Sequence, residues 1–395
     1  MTKTLMVIGA GEHQLPAIIK AKEMGLKVLA TDLNPNALGF EYADINRVVD
    51  VRDEVANLKV ATEFTIDGVI SIVSELSVRT TAYVAEQLGL PGLRYEAAIT
   101  ATDKAIMRRI FSEADLSSPV FFKVNSREEA IEAISKLGLP VIMKPTDNSG
   151  SRGVTKIENL AELDLSWALA KKNSFSGDVI VEQFLEGTEM TIEGLSYNGE
   201  HQILALSSKK RIPFPACVSI DLTYPPPFSE QSLARVRELI ISALNAMGVN
   251  MGATHSEVMM TKRGPILIEV AVRGGGYGVF SEIIPLVSGV NAVEECINMA
   301  IGYKVDISPK FSKAAVLRFF NLRPGRLIRI TGLRKARDIK GVHRIDLSVS
   351  PGDMVRPIVS DGTRHGLIIT SGDVREVAIH RADQAETAVK FDIAA

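Results

Sequence analysis

Strand and helix patterns alternate through the first ninety residues, and this alternation restricts the fold more than any other feature of the sequence. The run Leu5-Met-Val-Ile-Gly-Ala10 reads as a buried strand that Gly9 and Gly11 break. Gln14–Met24 carries Leu15, Ile18, Ile19 and Met24 at helical spacing, and Gly25 ends it. Residues 27–32, 47–51 and 67–73 read as three further strands, and Thr80–Leu88 as a helix. Such alternation predicts a parallel, doubly wound sheet over residues 1–94, with ligands expected beyond the strand C-termini.

Leu90-Pro91-Gly92 punctuates the chain, and a second region begins at Tyr95. Thr102 or Asp103 caps a helix that continues through Ala114. A strand over 119–124, a helix ending at Gly138 and a strand over 139–145 follow. Residues 179–187 and 188–197 are expected to pair as a hairpin, with Glu186-Gly-Thr-Glu189 as the turn. A long helix, Glu230–Met247, precedes two strands joined at Lys262-Arg-Gly-Pro265. From Lys304 onward, short strands with Gly and Pro turns predict a small β-rich domain over 304–395.

At roughly 100–200 residues per domain, 395 residues fit two or three domains. A net charge of −2 gives no chain-wide basic field for nucleic acid or an anionic membrane. No apolar run approaches the roughly 18 residues that would suggest a membrane span, and the N-terminus lacks signal-peptide features. Cys217 and Cys296 are too few for a disulfide framework, so a reducing cytoplasm is the expected location.

Three segments carry candidate chemistry. In Ile142–Val154 a lysine, Lys144, leaves a strand and is followed by small polar residues with Gly150 and Gly153. Backbone N–H groups in such a loop can approach an anion closely; taken alone, an ordinary surface hairpin explains the segment equally well. Glu257 and Glu269 fall near facing positions of the two expected strands, where two carboxylates suit a hard cation. Glu269 lies in an apolar run, and a buried carboxylate needs a cation or hydrogen-bond donors. Arg273 follows with Gly274–Gly276, which leave room for a ligand against the backbone. The third segment, Val179–Gly194, offers Glu182 and Glu189, whose acidic hairpin pattern is common.

The order Lys104, Lys144 with its glycine loop, Glu182 through Glu189, Glu257, Glu269 and Arg273 resembles the ATP-grasp superfamily over about residues 1–300. The resemblance implies an α/β N-terminal pre-ATP-grasp domain, a two-subdomain α+β ATP-grasp fold over 95–303 with a lid at about 119–186, and the β-rich C-terminal domain. It further implies that Lys104 and Lys144 contact the α- and β-phosphates of ATP, with Ser149, Gly150 and Ser151 folded over them. Glu182 and Leu185 would meet adenine through their backbones, and Glu189 the ribose. Glu257 and Glu269 would hold Mg2+, or Mn2+ in its place, while Arg273 stabilises the transferred phosphoryl group. Where the family usually has Asn as a further metal ligand, this chain has Ala271, which leaves the second ion in question.

On the substrate side, the candidates are Glu75 at a strand C-terminus, His255, Arg211 and Gly275. Lys210 or Arg211 is expected on a mobile loop spanning Ser207–Val218. The layout resembles L-amino acid ligases, which implies an ATP-dependent, ADP-forming ligase coupling a small carboxylate, such as an amino acid, to an amine. A homodimer fits this class. One alternative is activation of bicarbonate or formate, which calls for a ribotide-phosphate pocket; apart from Arg79, no basic residue lies near Gly9–Gln14 to form one. Another, suggested by Ala271, is an ATP-binding regulatory protein. A nicotinamide-dependent enzyme would rest on Gly9-x-Gly11 alone, without the third glycine.

Overall fold

The computed structural model describes residues 2–148, 150 and 152–394. Strand β1 (Thr4–Ile8) is buried throughout, as expected for an apolar run covered on both faces. It is followed by α1 (Leu15–Glu23), β2 (Lys27–Asp32), β3 (Ile45–Val48), α2 (Glu54–Glu63), β4 (Gly68–Ile70) and α3 (Val78–Gln87). The strands run parallel in the order β3-β2-β1-β4. Gly9 leaves β1 with φ +97°, a conformation that favours glycine. Helix α2 escaped the pattern reading because no apolar stripe marks it: Val55 is exposed while Asn57 is buried. Asp53 starts it by accepting from the Ala56 N–H.

Two helices follow, α4 (Tyr95–Ala101) and α5 (Lys104–Glu113), and Asp103 caps α5 through the N–H groups of Ala105 and Ile106. Next come β5 (Phe121–Val124), α6 (Arg127–Leu137), β6 (Val141–Pro145), β7 (Thr155–Ile157), α7 (Leu163–Lys172) and β8 (Val179–Gln183). These strands form an antiparallel sheet ordered β5-β8-β6-β7, with α6 and α7 packed on a core that includes Val124, Ile134, Met143 and Val181.

The chain then builds β9 (Thr188–Tyr197), β10 (Glu200–Arg211), β11 (Ser219–Tyr224), α8 (Glu230–Ala246), β12 (Gly252–Thr261) and β13 (Gly264–Ala271). Helices α9 (Ile284–Ser288) and α10 (Ala292–Ile301) lead to β14 (Ala314–Phe319), β15 (Gly325–Thr331), α11 (Leu333–Arg337) and β16 (Val342–Leu347). The last elements are β17 (Met354–Val355), β18 (Gly366–Gly372), α12 (Arg375–Ala388) and β19 (Lys390–Ala394). One antiparallel sheet takes eight strands in the order β13-β12-β9-β10-β11-β14-β18-β16, and a small sheet takes β17-β15-β19. The C-terminal stretch therefore adds three strands to the large sheet and also carries the fourteen-residue helix α12, which its turn-rich sequence did not suggest.

The expected hairpin between residues 179–187 and 188–197 does not form. β8 pairs with β5 and β6, whereas β9 pairs with β10 and β12 in the other sheet. Residues 184–187 are a connector, and they pass so close to β12 that a Cβ at Gly187 would lie 2.2 Å from the Met260 carbonyl oxygen. Helix α10 joins the N-terminal sheet to the large one: Ile297 and Ala300 share a core with Leu5, Val7 and Ile18 and with Leu195 and Phe280. No helix among the described residues is long and apolar enough to cross a membrane.

Candidate active site

β12 and β13 set Glu257 opposite Glu269, the facing arrangement that alternation along the two strands predicts. Each carboxylate is met by a lysine from another element. Lys104, at the start of α5, donates to Glu269 Oε1 at 3.1 Å and to the Asn148 carbonyl at 2.8 Å. Lys209, on β10, donates to Glu257 Oε1 and to Glu189 Oε1, the latter at 2.8 Å. Burial would raise both glutamate pKa values, but Lys104 beside Glu269 and Lys209 and Arg211 beside Glu257 hold them below the ordinary carboxylate range.

Lys144, on β6, lies 2.6 Å from Glu182 Oε2 on β8, while Arg108 of α5 holds Glu182 Oε1 at 2.8 Å. Burial works against the Glu182 charge, yet Arg108 and Lys144 bring its pKa down to about 2. Burial pushes the Lys144 ammonium down, and the neighbouring charges of Arg108 and Lys104 add to this against the pull of Glu182. Among the described residues, Lys104, Lys144 and Arg108 make their direct ion pairs with Glu182 and Glu269, three cations on two carboxylates at the mouth of the glycine loop, with Glu75 acting on Lys104 from farther off.

The glycine loop runs on from β6, with positive φ at Gly150 and Gly153. Ser149 and Ser151 lie outside the described residues. Leu185 sits half-buried in the connector between the two sheets. Glu189 begins β9 buried against Lys209 and Arg211.

The expected mobile loop over Ser207–Val218 is a strand as far as Arg211. Alternation turns Lys209 and Arg211 inward and leaves Lys210 exposed, so Lys210 is removed from the site. Arg211 also donates to the Cys217 sulfur at 3.2 Å, and burial raises that thiol's pKa, which fits packing.

On the same side, His255 Nδ1 lies 2.5 Å from Glu193 Oε1. A carboxylate only accepts here, so Nδ1 carries the proton. Glu193 Oε2 accepts from the Gly275 N–H at 3.2 Å, and a Cβ at Gly275 would come within 3.0 Å of Glu193 Oε1. Ala271 is buried opposite His255 and supplies no donor or acceptor side chain. Arg273 donates to Glu75 Oε2 at 3.1 Å, which brings the end of the N-terminal sheet to the glycines after β13.

Sequence reasoning missed Arg108, Glu193 and Lys209. Period two puts Glu189, Thr191 and Glu193 on one face of β9 and Lys209 with Arg211 on one face of β10, a signal the sequence does contain, and the pairing of the two strands turns both sets to the same side of the sheet. Arg108 sits one turn after Lys104 on the apolar side of α5 between Met107 and Phe111, a position where a buried cation demands a partner.

Glu257 and Glu269 each spend one oxygen on a lysine, and Oε2 of each takes no hydrogen bond among the described residues. Two adjacent carboxylates of this kind fit a hard, oxygen-seeking cation.

Two sheets joined by a short connector, with a glycine loop on one and paired glutamates on the other, define a nucleotide-dependent ligase fold. A model of the ATP-grasp domain matches residues 137–281, so the chain carries an ATP-grasp domain over that stretch. Residues 318–394 match the L-amino acid ligase C-terminal domain 2. An uncharacterized protein, y4rH, of Sinorhizobium fredii is 27% identical over 90% of this chain and 76% of its own length. Alanine–anticapsin ligase of Bacillus subtilis is 30% identical over 68% of this chain; the alignment spans 60% of that enzyme. The crystal structure of an L-amino acid ligase from Bacillus licheniformis superposes with a TM-score of 0.84 over 100% of this chain and 99% of that one, at 23% identity, which shows a shared fold.

Proposed function

We propose that the chain is an ADP-forming carboxylate–amine ligase that activates a small carboxylate, such as an amino acid, as an acyl phosphate and couples it to an amine. The observation that carries this reading is the pairing of Glu257 and Glu269 across β12 and β13, with Lys209 of β10 on the first and Lys104 of α5 on the second. Lys104, Lys144 and the glycine loop hold the phosphates, where the excess positive charge matches a polyphosphate. Leu185 and the backbone at Glu182 meet adenine, and Glu189 meets the ribose. Glu257 and Glu269 would hold Mg2+ or Mn2+, which supplies charge neutralisation on the transferred group. Arg273, aimed by Glu75, stabilises the phosphoryl group as it passes to the carboxylate and then on the leaving phosphate. The amine displaces that phosphate and the amide forms.

Activation of bicarbonate or formate for a ribotide would need a cationic pocket in the N-terminal domain. Arg344 approaches Glu12 there at 3.5 Å but is already shared with Glu282 and Asp346, and Arg79 donates to Thr102 at 2.5 Å.

Phosphate release should be measured with ATP, Mg2+ and a matrix of carboxylic acids and amines. An acid–amine pair that releases phosphate only when both are present supports the ligase, and phosphate release that needs bicarbonate but no amine sinks it. Glu269→Gln should remove product formation while the circular dichroism spectrum stays that of the wild type; a near-normal rate would discard the metal assignment.

A further inference from the structure

One arginine near the site has no place in the phosphate chemistry. Arg364 precedes β18 and is buried, with its guanidinium 3.9 Å from the Phe319 ring centroid and 4.8 Å from that of Tyr277. Its Nε donates to the Ser219 carbonyl at 3.0 Å. Its carboxylate partner among the described residues is Asp361, 2.8 Å from Nη2 and more than one-third exposed.

Three contacts place this guanidinium on the rim of the reaction site. Tyr277 lies four residues beyond Arg273, and its ring packs edge-on against Phe319 and against His13 of the N-terminal domain, the latter with ring centroids 5.4 Å apart. The Tyr277 hydroxyl donates to the Asp361 carbonyl at 2.8 Å. A Cβ built on Gly150 would lie 3.7 Å from Asp361 Oδ2, so the glycine loop passes beside the same pair. Burial and the nearby positive charge of Arg211 both disfavour the charged form of Arg364. A buried, always-charged group in that position is relieved by an anion.

In amide formation the donor's carboxylate is consumed at the phosphate, whereas a carboxylate on the acceptor is not. It requires its own cation, away from the lysines. We propose that Arg364 binds the acceptor's carboxylate and makes the enzyme select amines that carry one. This rests on the amide-forming reading above, and the planar guanidinium, set against the mutually perpendicular Phe319 and Tyr277 rings, has the N–H fork a carboxylate accepts.

The test uses the full-length enzyme in two stages. First, the twenty L-amino acids are screened as donors with ATP, Mg2+ and hydroxylamine, which traps an activated acyl group and carries no carboxylate. Second, with the best donor, kcat/KM is compared for L-amino acid acceptors and their carboxamides. The wild type should prefer the free acid by roughly 30-fold, and Arg364→Met should bring that ratio close to one. Arg364→Lys, which keeps the charge, should restore part of the preference. A merely structural arginine would lower both activities together and leave the ratio unchanged, which would overturn the assignment. Equal use of acid and carboxamide by the wild type overturns it too, even if the variants do not fold. Hydroxamate from none of the acids would instead overturn the amide-forming reading, and this proposal with it.

Discussion

Glu182 shows how a single residue fixes the charge of the side of the site proposed to hold the nucleotide. It is buried between Arg108 and Lys144, and its folded pKa of about 2 lies below the ordinary 4.5. A carboxylate depressed on folding stabilises the protein fully above its unfolded pKa, and that contribution disappears as the pH falls toward the folded value. Denaturant titrations should therefore show stability falling by about 3 kcal/mol as the pH drops from about 5 toward 2, over and above other groups. Glu182→Gln should be less stable at neutral pH by about 3 kcal/mol, because two buried cations lose their counter-charge. It should also lose much of the acid-range slope. An unchanged slope would mean that Glu182 does not carry this charge balance.

At the scale of elements, β12 and β13 were readable because each carries one carboxylate in an otherwise largely apolar run and a short turn joins them, which fixes which residues face each other. The alternation of the first ninety residues gave the parallel sheet, again from local patterns. Partners were not readable. Arg108 meets Glu182 across 74 residues and Lys209 meets Glu257 across 48, and nothing local specifies such pairs. β8 and β9 misled because two strands separated by a short acidic stretch look like a hairpin whether or not they share a sheet. The glycines after β13 show a third limit, since their need is tertiary. Gly275 brings its N–H to Glu193, and a Cβ there would also meet Val279 at 2.8 Å. Gly275→Ala should lower kcat/KM at least about tenfold by displacing Glu193 and with it His255, with a Tm shift of only a few degrees. Wild-type kinetics in this variant would show that the loop accommodates the methyl group without moving Glu193.

Over the whole molecule, the site is assembled from parts far apart in the chain. Glu75 comes from the end of the N-terminal sheet, Lys144 from the four-stranded sheet, Glu269 and Arg273 from the large one, and α10 locks the first of these to the last through a common core. Lys104 and Lys209 belong to α5 and β10, yet each is neutralised by a glutamate proposed to hold the cation. That arrangement is a thermodynamic interlock. A cation arriving alone must displace Lys104 from Glu269 and leave its ammonium buried without that counter-charge, whereas a polyphosphate arriving alone must draw Lys104 from the same glutamate; Lys209 keeps Glu189 in either case. Each ligand removes the penalty the other meets, so their affinities rise together and by the same factor. Calorimetry should find Mg2+ binding to the free protein at least about tenfold weaker than in the presence of saturating ADP, and ADP gaining equally from Mg2+, once binding of Mg2+ to ADP in solution is subtracted. Independent binding of the two would mean that the Lys104–Glu269 pair is not broken when the site fills.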